Sequence, residues 1–135
     1  MLRVGLISDT HNLLRPEAVE CLRGCDHILH GGDIGDESIL ERLAKLAPLS
    51  VVRGNNDRDG WAERLPHSLR LQFEGVGVYA VHDLAELDID PVADIKTKNI
   101  FLKITIPPLS RVAANMSATI YVPTSEKQTL SIIPR

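Results

Sequence analysis

LISDTHN, residues 6–12, closes an apolar run (Leu2, Val4, Leu6, Ile7) with an acid, Asp9, and an imidazole, His11, two residues apart. A short apolar run followed at once by polar residues predicts a buried strand ending in a turn. A carboxylate and an imidazole at that spacing make either a pair of metal ligands or an ordinary polar turn. The two readings separate only when the rest of the chain is added.

Downstream, Pro16 and Glu17 sit where the first turn of a helix tolerates a proline and welcomes an acid. Ala18, Val19, Leu22 and Cys25 give that helix one apolar stripe, and Gly24 marks its end. His27 to His30 predicts a second strand, broken by Gly31-Gly32. Asp36 is a good N-cap for a second helix with the stripe Ile39, Leu40, Leu43 and Leu46, ended by Pro48. Leu49 to Arg53 predicts a third strand, running into Gly54-Asn55-Asn56-Asp57. Strand and helix alternating at this spacing imply a parallel sheet with right-handed crossovers.

After Trp61 the period changes to two. Leu69, Leu71 and Phe73, then Val76, Val78 and Ala80, flank Glu74-Gly75 and predict an antiparallel hairpin reaching Val81-His82. From about Ile95 the composition shifts: all nine glycines lie at or before Gly77, and Glu126 is the only acid after Asp94. Ile100, Leu102, Ile104 and Ile106 alternate as a strand that Pro107-Pro108 stops, while Thr119–Val122 and Thr129–Ile133 are placed to pair across a polar turn. The chain is read as one domain over residues 1–135, with a divergent, strand-rich part at 96–135.

Composition bounds the function. Hydrophobic residues make up 44% and charged residues 24%, a globular balance. A net charge of −3, no dense Lys/Arg cluster, and one Trp, two Tyr and two Phe leave no strong nucleic-acid signal. No apolar run approaches a membrane span and the first residues do not form a secretory signal. Cys21 and Cys25, one helical turn apart, are read as reduced thiols. The expectation is a cytoplasmic protein with no membrane partner, a homo-oligomer being open.

In an open parallel sheet the carboxyl ends of the strands line one edge, where ligands bind. Three predicted strands end there in Asp9-Thr10-His11, Gly32-Asp33 and Gly54-Asn55-Asn56-Asp57, and His82 closes a later one. Carboxylates, imidazoles and an amide oxygen together suit divalent metals such as manganese, zinc, iron or magnesium. A lone D-x-H is weak; D-x-H, G-D and G-N-x-D, each directly after a predicted strand, are strong together.

SDTHN, HGGDIGD and RGNNDR resemble the calcineurin-like metallophosphoesterases, above all their small bacterial and archaeal phosphodiesterase branch, over roughly residues 1–95. The resemblance implies a two-sheet αββα sandwich, shortened or altered at the C-terminus. It implies two divalent ions about 3.5 Å apart, manganese first, with zinc, iron, nickel or magnesium as alternatives. Asp9 and His11 would bind one ion, Asp33 would bridge, and Asn55 and His82 would bind the other. Asn55 and Asp57 would be the catalytic residues, Asp57 lying near the reacting phosphate, and Arg58 would contact a small phosphoester substrate. A metal-bridging hydroxide would attack phosphorus in line, with no covalent intermediate.

The sequence also departs from the family. A G-H-T/S-H motif that supplies each metal with a further histidine is missing: Asp83 follows His82, and no histidine follows it. Asp83 and Asp94 are acids that could substitute. His30, beside the mouth, is either a donor to the ligands or a packed strand residue. The alternative function is therefore a catalytically impaired, protein-binding scaffold, as in the retromer subunit of this fold.

Overall fold

The computed structural model describes residues 3–73, 76–86, 99–105 and 117–121. Three parallel strands, β1 (Val4–Ile7), β2 (His27–His30) and β3 (Leu49–Val51), lie in the order β1-β2-β3. Val4 pairs with His27, Ile7 with His30, and Ile28 with Leu49, so all three strands reach the same edge together. The crossovers carry helix α1 (Pro16–Leu22) and helix α2 (Glu37–Ala44).

Both helices pack on one face of this sheet. Leu22, Ile39 and Leu43 join Ile7 and Ile28 in one buried cluster, with Ala18, Val19, Cys25, Leu40, Leu46 and Trp61 partly buried against it. Asp36 caps α2 as expected, its carboxylate accepting the Ser38 N–H at 2.7 Å. The first helix is shorter than its stripe implied: it ends at Leu22, the chain turns through Gly24 at φ +73°, and Cys25 packs from outside the helix.

The opposite face of the parallel sheet is covered by a second sheet. Strand β4 (Ser68–Phe73) pairs antiparallel with β5 (Val76–Val81), the expected hairpin, although its turn at 74–75 lies outside the described residues. Strand β6 (Asn99–Thr105) then joins β5 in parallel, and β7 (Ser117–Tyr121) joins β6 antiparallel. Leu29 and Val52 of the first sheet meet Ala80 of the second, flanked by Leu6, Leu69, Leu71 and Val78. Adjacent residues of β2 thus serve different layers: Ile28 faces the helices and Leu29 the second sheet, so a polar residue at either position would be costly.

On β5, Tyr79 and Val81 point away from the Ala80 side, yet both are buried. In the tail, Thr119–Tyr121 belong to β7 and pair with β6, while the expected partner Thr129–Ile133 lies outside the described residues. No helix among the described residues is long and apolar enough to cross a membrane.

Candidate metal centre

The mouth is made by the three loops that leave β1, β2 and β3. Backbone bonds lock the first two together: Asp9 N–H donates to Gly32 O at 2.9 Å, His11 N–H to Asp33 O at 3.1 Å and Asn12 N–H to Ile34 O at 3.0 Å. The close approach puts residues into left-handed backbone. Among the described residues, the non-glycine residues with positive φ are Asp9 (55°), His11 (42°), Asn12 (68°) and Asp33 (55°), all in these two loops. Such conformations cost energy and gather where a fold holds functional side chains in place.

Glycine is required where the loops touch. A Cβ on Gly54 would lie 2.0 Å from Asp33 N and 2.1 Å from Asp33 Oδ1. One on Gly32, at φ +99°, would meet Gly54 N and His82 Nδ1 at 2.8 Å. The glycines preceding Asp33 and Asn55 are thus the spaces into which the neighbouring ligand loops fit.

Three of the expected ligands converge. Asp9, Asp33 and His82 offer ligand atoms that all lie within 4.8 Å of one another. His11 Nε2 stands 3.6 Å from Asp9 Oδ1 and 3.7 Å from Asp33 Oδ2, on an exposed ring. Asn55 Oδ1 lies 3.0 Å from His82 Nε2. Thus the whole expected set, Asp9, His11, Asp33, Asn55 and His82, is brought to one place.

The His82 ring is oriented from behind. Its Nδ1–H donates to Gly31 O at 2.7 Å, which leaves the Nε2 lone pair facing Asn55 Oδ1 and, at 3.5 Å, Asp33 Oδ1. In a neutral imidazole this tautomer aims three acceptor atoms at one another. Acceptors packed this way repel unless a cation sits among them, so the donor set fits a divalent ion with mixed nitrogen and oxygen ligands. Burial raises the Asp9 carboxyl above its ordinary range, opposed by a hydrogen bond from Ser8 and by the nearby His82. A bound cation would reverse that shift.

Two residues read as possible parts of the site turn out to hold it together. Asp57 is 2% exposed, and its oxygens accept three backbone N–H groups: Ile34 at 2.8 Å and Gly35 at 3.1 Å on Oδ1, Gly54 at 2.8 Å on Oδ2. It ties the β2 loop to the β3 loop from below. His30 is fully buried, with Nδ1 accepting Gly32 N–H at 3.1 Å and Nε2 paired with Thr10 Oγ1 at 3.2 Å. Desolvation holds its pKa down at about 3, so it stays neutral. It is a packed strand histidine that braces the β1 and β2 loops.

Arg58 is exposed at the rim, Nε donating to Asn55 O at 3.4 Å. Asp83 is not drawn into the ligand set; its Oδ1 accepts Ala85 N–H at 2.9 Å and caps its own turn. Asp94 lies outside the described residues. One contributor was missed by sequence reasoning. Asn56 donates its N–H to Asp33 Oδ1 at 3.0 Å and its Nδ2–H to Asp33 Oδ2 at 2.7 Å. The Asn-Asn pair in RGNNDR looks like one more Asx turn, and nothing local signals a contact across 23 positions.

Comparison with known proteins bears on the family and the fold. A probable metallophosphoesterase of Methanothermobacter thermautotrophicus is 40% identical over 84 residues, covering 58% of this chain and 48% of its own length. The chain therefore spans about half of that curated relative. Vps29 from Chaetomium thermophilum superposes with a TM-score of 0.58 at 17% identity, covering 72% of this chain and 58% of Vps29. A predicted phosphoesterase from Streptococcus pneumoniae superposes with a TM-score of 0.53 at 16% identity, covering 89% and 83%. At these identities the superpositions establish the fold. The family description "calcineurin-like phosphoesterase superfamily domain" matches residues 2–102, past the point where sequence motifs end and into β6. With the family's ligand types gathered at one sheet edge, the chain belongs to the calcineurin-like phosphoesterase superfamily.

Proposed function

We propose that this chain hydrolyses a small phosphoester, a diester by preference, at a two-ion site formed by Asp9, His11, Asp33, Asn55 and His82. The observation that carries the reading is the convergence of Asp9, Asp33 and His82 within 4.8 Å, with His82 Nε2 turned inward by Gly31 O. Divalent ions held there, manganese foremost, would supply positive charge for the phosphoryl oxygens and acidify a water. Asp33, central among the candidate ligands, would help hold both ions in this reading. His11 and Asn55 complete the two ends.

Asn55 serves substrate as well as metal in this reading, whereas Asp57 fixes the loops, because it is buried and its oxygens face the backbone N–H groups of Ile34, Gly35 and Gly54. Arg58, on the exposed rim, contacts the non-reacting part of the phosphoester. The free thiols of Cys21 and Cys25 suit the reducing cytoplasm.

A scaffold role is the second reading, favoured by one fact: within these 135 residues no histidine follows His82, so the further histidines of the family pattern have no counterpart here. Its fold matches Vps29 as well as it matches a phosphoesterase. The test is hydrolysis of bis(p-nitrophenyl) phosphate by metal-stripped protein on adding manganese. Metal-dependent turnover that disappears in Asp33→Asn supports the enzyme. No turnover at millimolar manganese moves the protein to the scaffold reading.

A further inference from the structure

We propose that Asn56 is a positioning residue that fixes the plane of the Asp33 carboxylate and thereby sets the metal affinity of the site; this rests on the metal-site reading above. Asn56 is exposed, yet both of its donors reach a carboxylate that is only 4% exposed and 23 positions away. An amide that merely closed its own turn would bond to a neighbour two or three residues off.

The geometry is a two-point clamp. Backbone N–H on Oδ1 and Nδ2–H on Oδ2 take one lone pair from each oxygen and leave the other for ligation. Asp33 needs this support, because its backbone is at φ 55° and its two oxygens face different rings: His82 Nε2 lies 3.5 Å from Oδ1 and His11 Nε2 lies 3.7 Å from Oδ2. Without the clamp the carboxylate is free to turn out of the plane that presents both oxygens to a metal. An arginine fork would hold the plane equally well but would cancel the charge that attracts a cation. A neutral amide orients the carboxylate and leaves its charge to the metal.

The clamp is half backbone, so its side-chain half can be removed alone. Manganese titration of the full chain by calorimetry, for wild type, Asn56→Ala and Asn56→Ser, tests the proposal, with thermal unfolding of each metal-free protein measured alongside. Asn56→Ala is expected to weaken manganese binding about tenfold or more while the metal-free unfolding midpoint stays near that of wild type. Asn56→Ser, which keeps a short donor, is expected to recover part of the loss. Should Asn56→Ala prove unfolded, the serine variant decides by the same comparison. Wild-type affinity in a folded Asn56→Ala overturns the proposal and leaves the metal site standing. Absence of manganese binding by the wild type overturns both.

Discussion

The mouth of the parallel sheet and the node beside it share the β2 and β3 loops, yet they treat a buried carboxylate in opposite ways. At the node, Asp57 faces three backbone N–H groups and no other charge among its hydrogen-bond partners. At the mouth, Asp33 is held by Asn56 but faces Asp9, His11 and His82, groups that are themselves ionisable. One carboxylate completes the fold and the other is kept available. The contrast teaches that burial alone does not mark a catalytic acid: what faces its oxygens does.

The largest effect should come from the mouth. Asp33→Ala is expected to lower metal-dependent diester hydrolysis by about a thousandfold or more, near 4 kcal/mol of transition-state stabilisation. Its metal-free stability should change less than that of an Asp57 variant, because Asn56 can turn to water. Asp57→Ala leaves backbone donors orphaned inside the protein and is expected to cost about 3–5 kcal/mol of stability, read from urea unfolding of metal-free protein. If the two variants lost stability equally, the distinction between node and mouth would fail.

A pH experiment sharpens the same contrast through His30. Burial lowers its pKa in the folded protein from 6.5 to about 3, so the unfolded chain binds the proton more tightly. The linked stability is fully present above pH 6.5 and is lost as pH falls from there toward 3, on the order of a few kcal/mol in all. Urea midpoints of metal-free protein should therefore drop through this window, and His30→Gln should flatten the drop. Asp9 works with the opposite sign. Its raised carboxyl makes metal-free protein lose a little stability as pH rises above 3.8, a component that Asp9→Asn should remove.

The smallest effect belongs to the rim. Arg58→Ala is expected to raise KM about two- to fivefold with kcat nearly unchanged, because an exposed arginine supplies uniform binding rather than transition-state contact. A fall in kcat instead would place Arg58 at the reacting phosphate.

Local pattern made the parallel half readable. Apolar runs of four residues, a proline at the start of α1, the Asp36 cap and glycines ahead of Asp33 and Asn55 are each decided within a few neighbours. The convergence of the candidate ligands was readable for the same reason, since each follows a strand and parallel strands end on one edge. What was not readable depends on distant partners. Asp57 and Asn56 sit beside Asn55 in sequence, but their roles are set by Ile34, Gly35 and Asp33 on another loop. His30 could be either a ligand's donor or a packing residue until Thr10 and Gly32 were seen against it. In the tail, alternation announced strands, but not that β6 would lie parallel to β5 or that β7 would pair with β6, because period two leaves the partner open.

The most direct test of the central claim is where manganese binds. Crystals grown with manganese and measured at its absorption edge should show anomalous density in contact with Asp9, Asp33 and His82, with His11 and Asn55 closing the two ends. Manganese bound elsewhere, or no density at the mouth at millimolar metal, would contradict it.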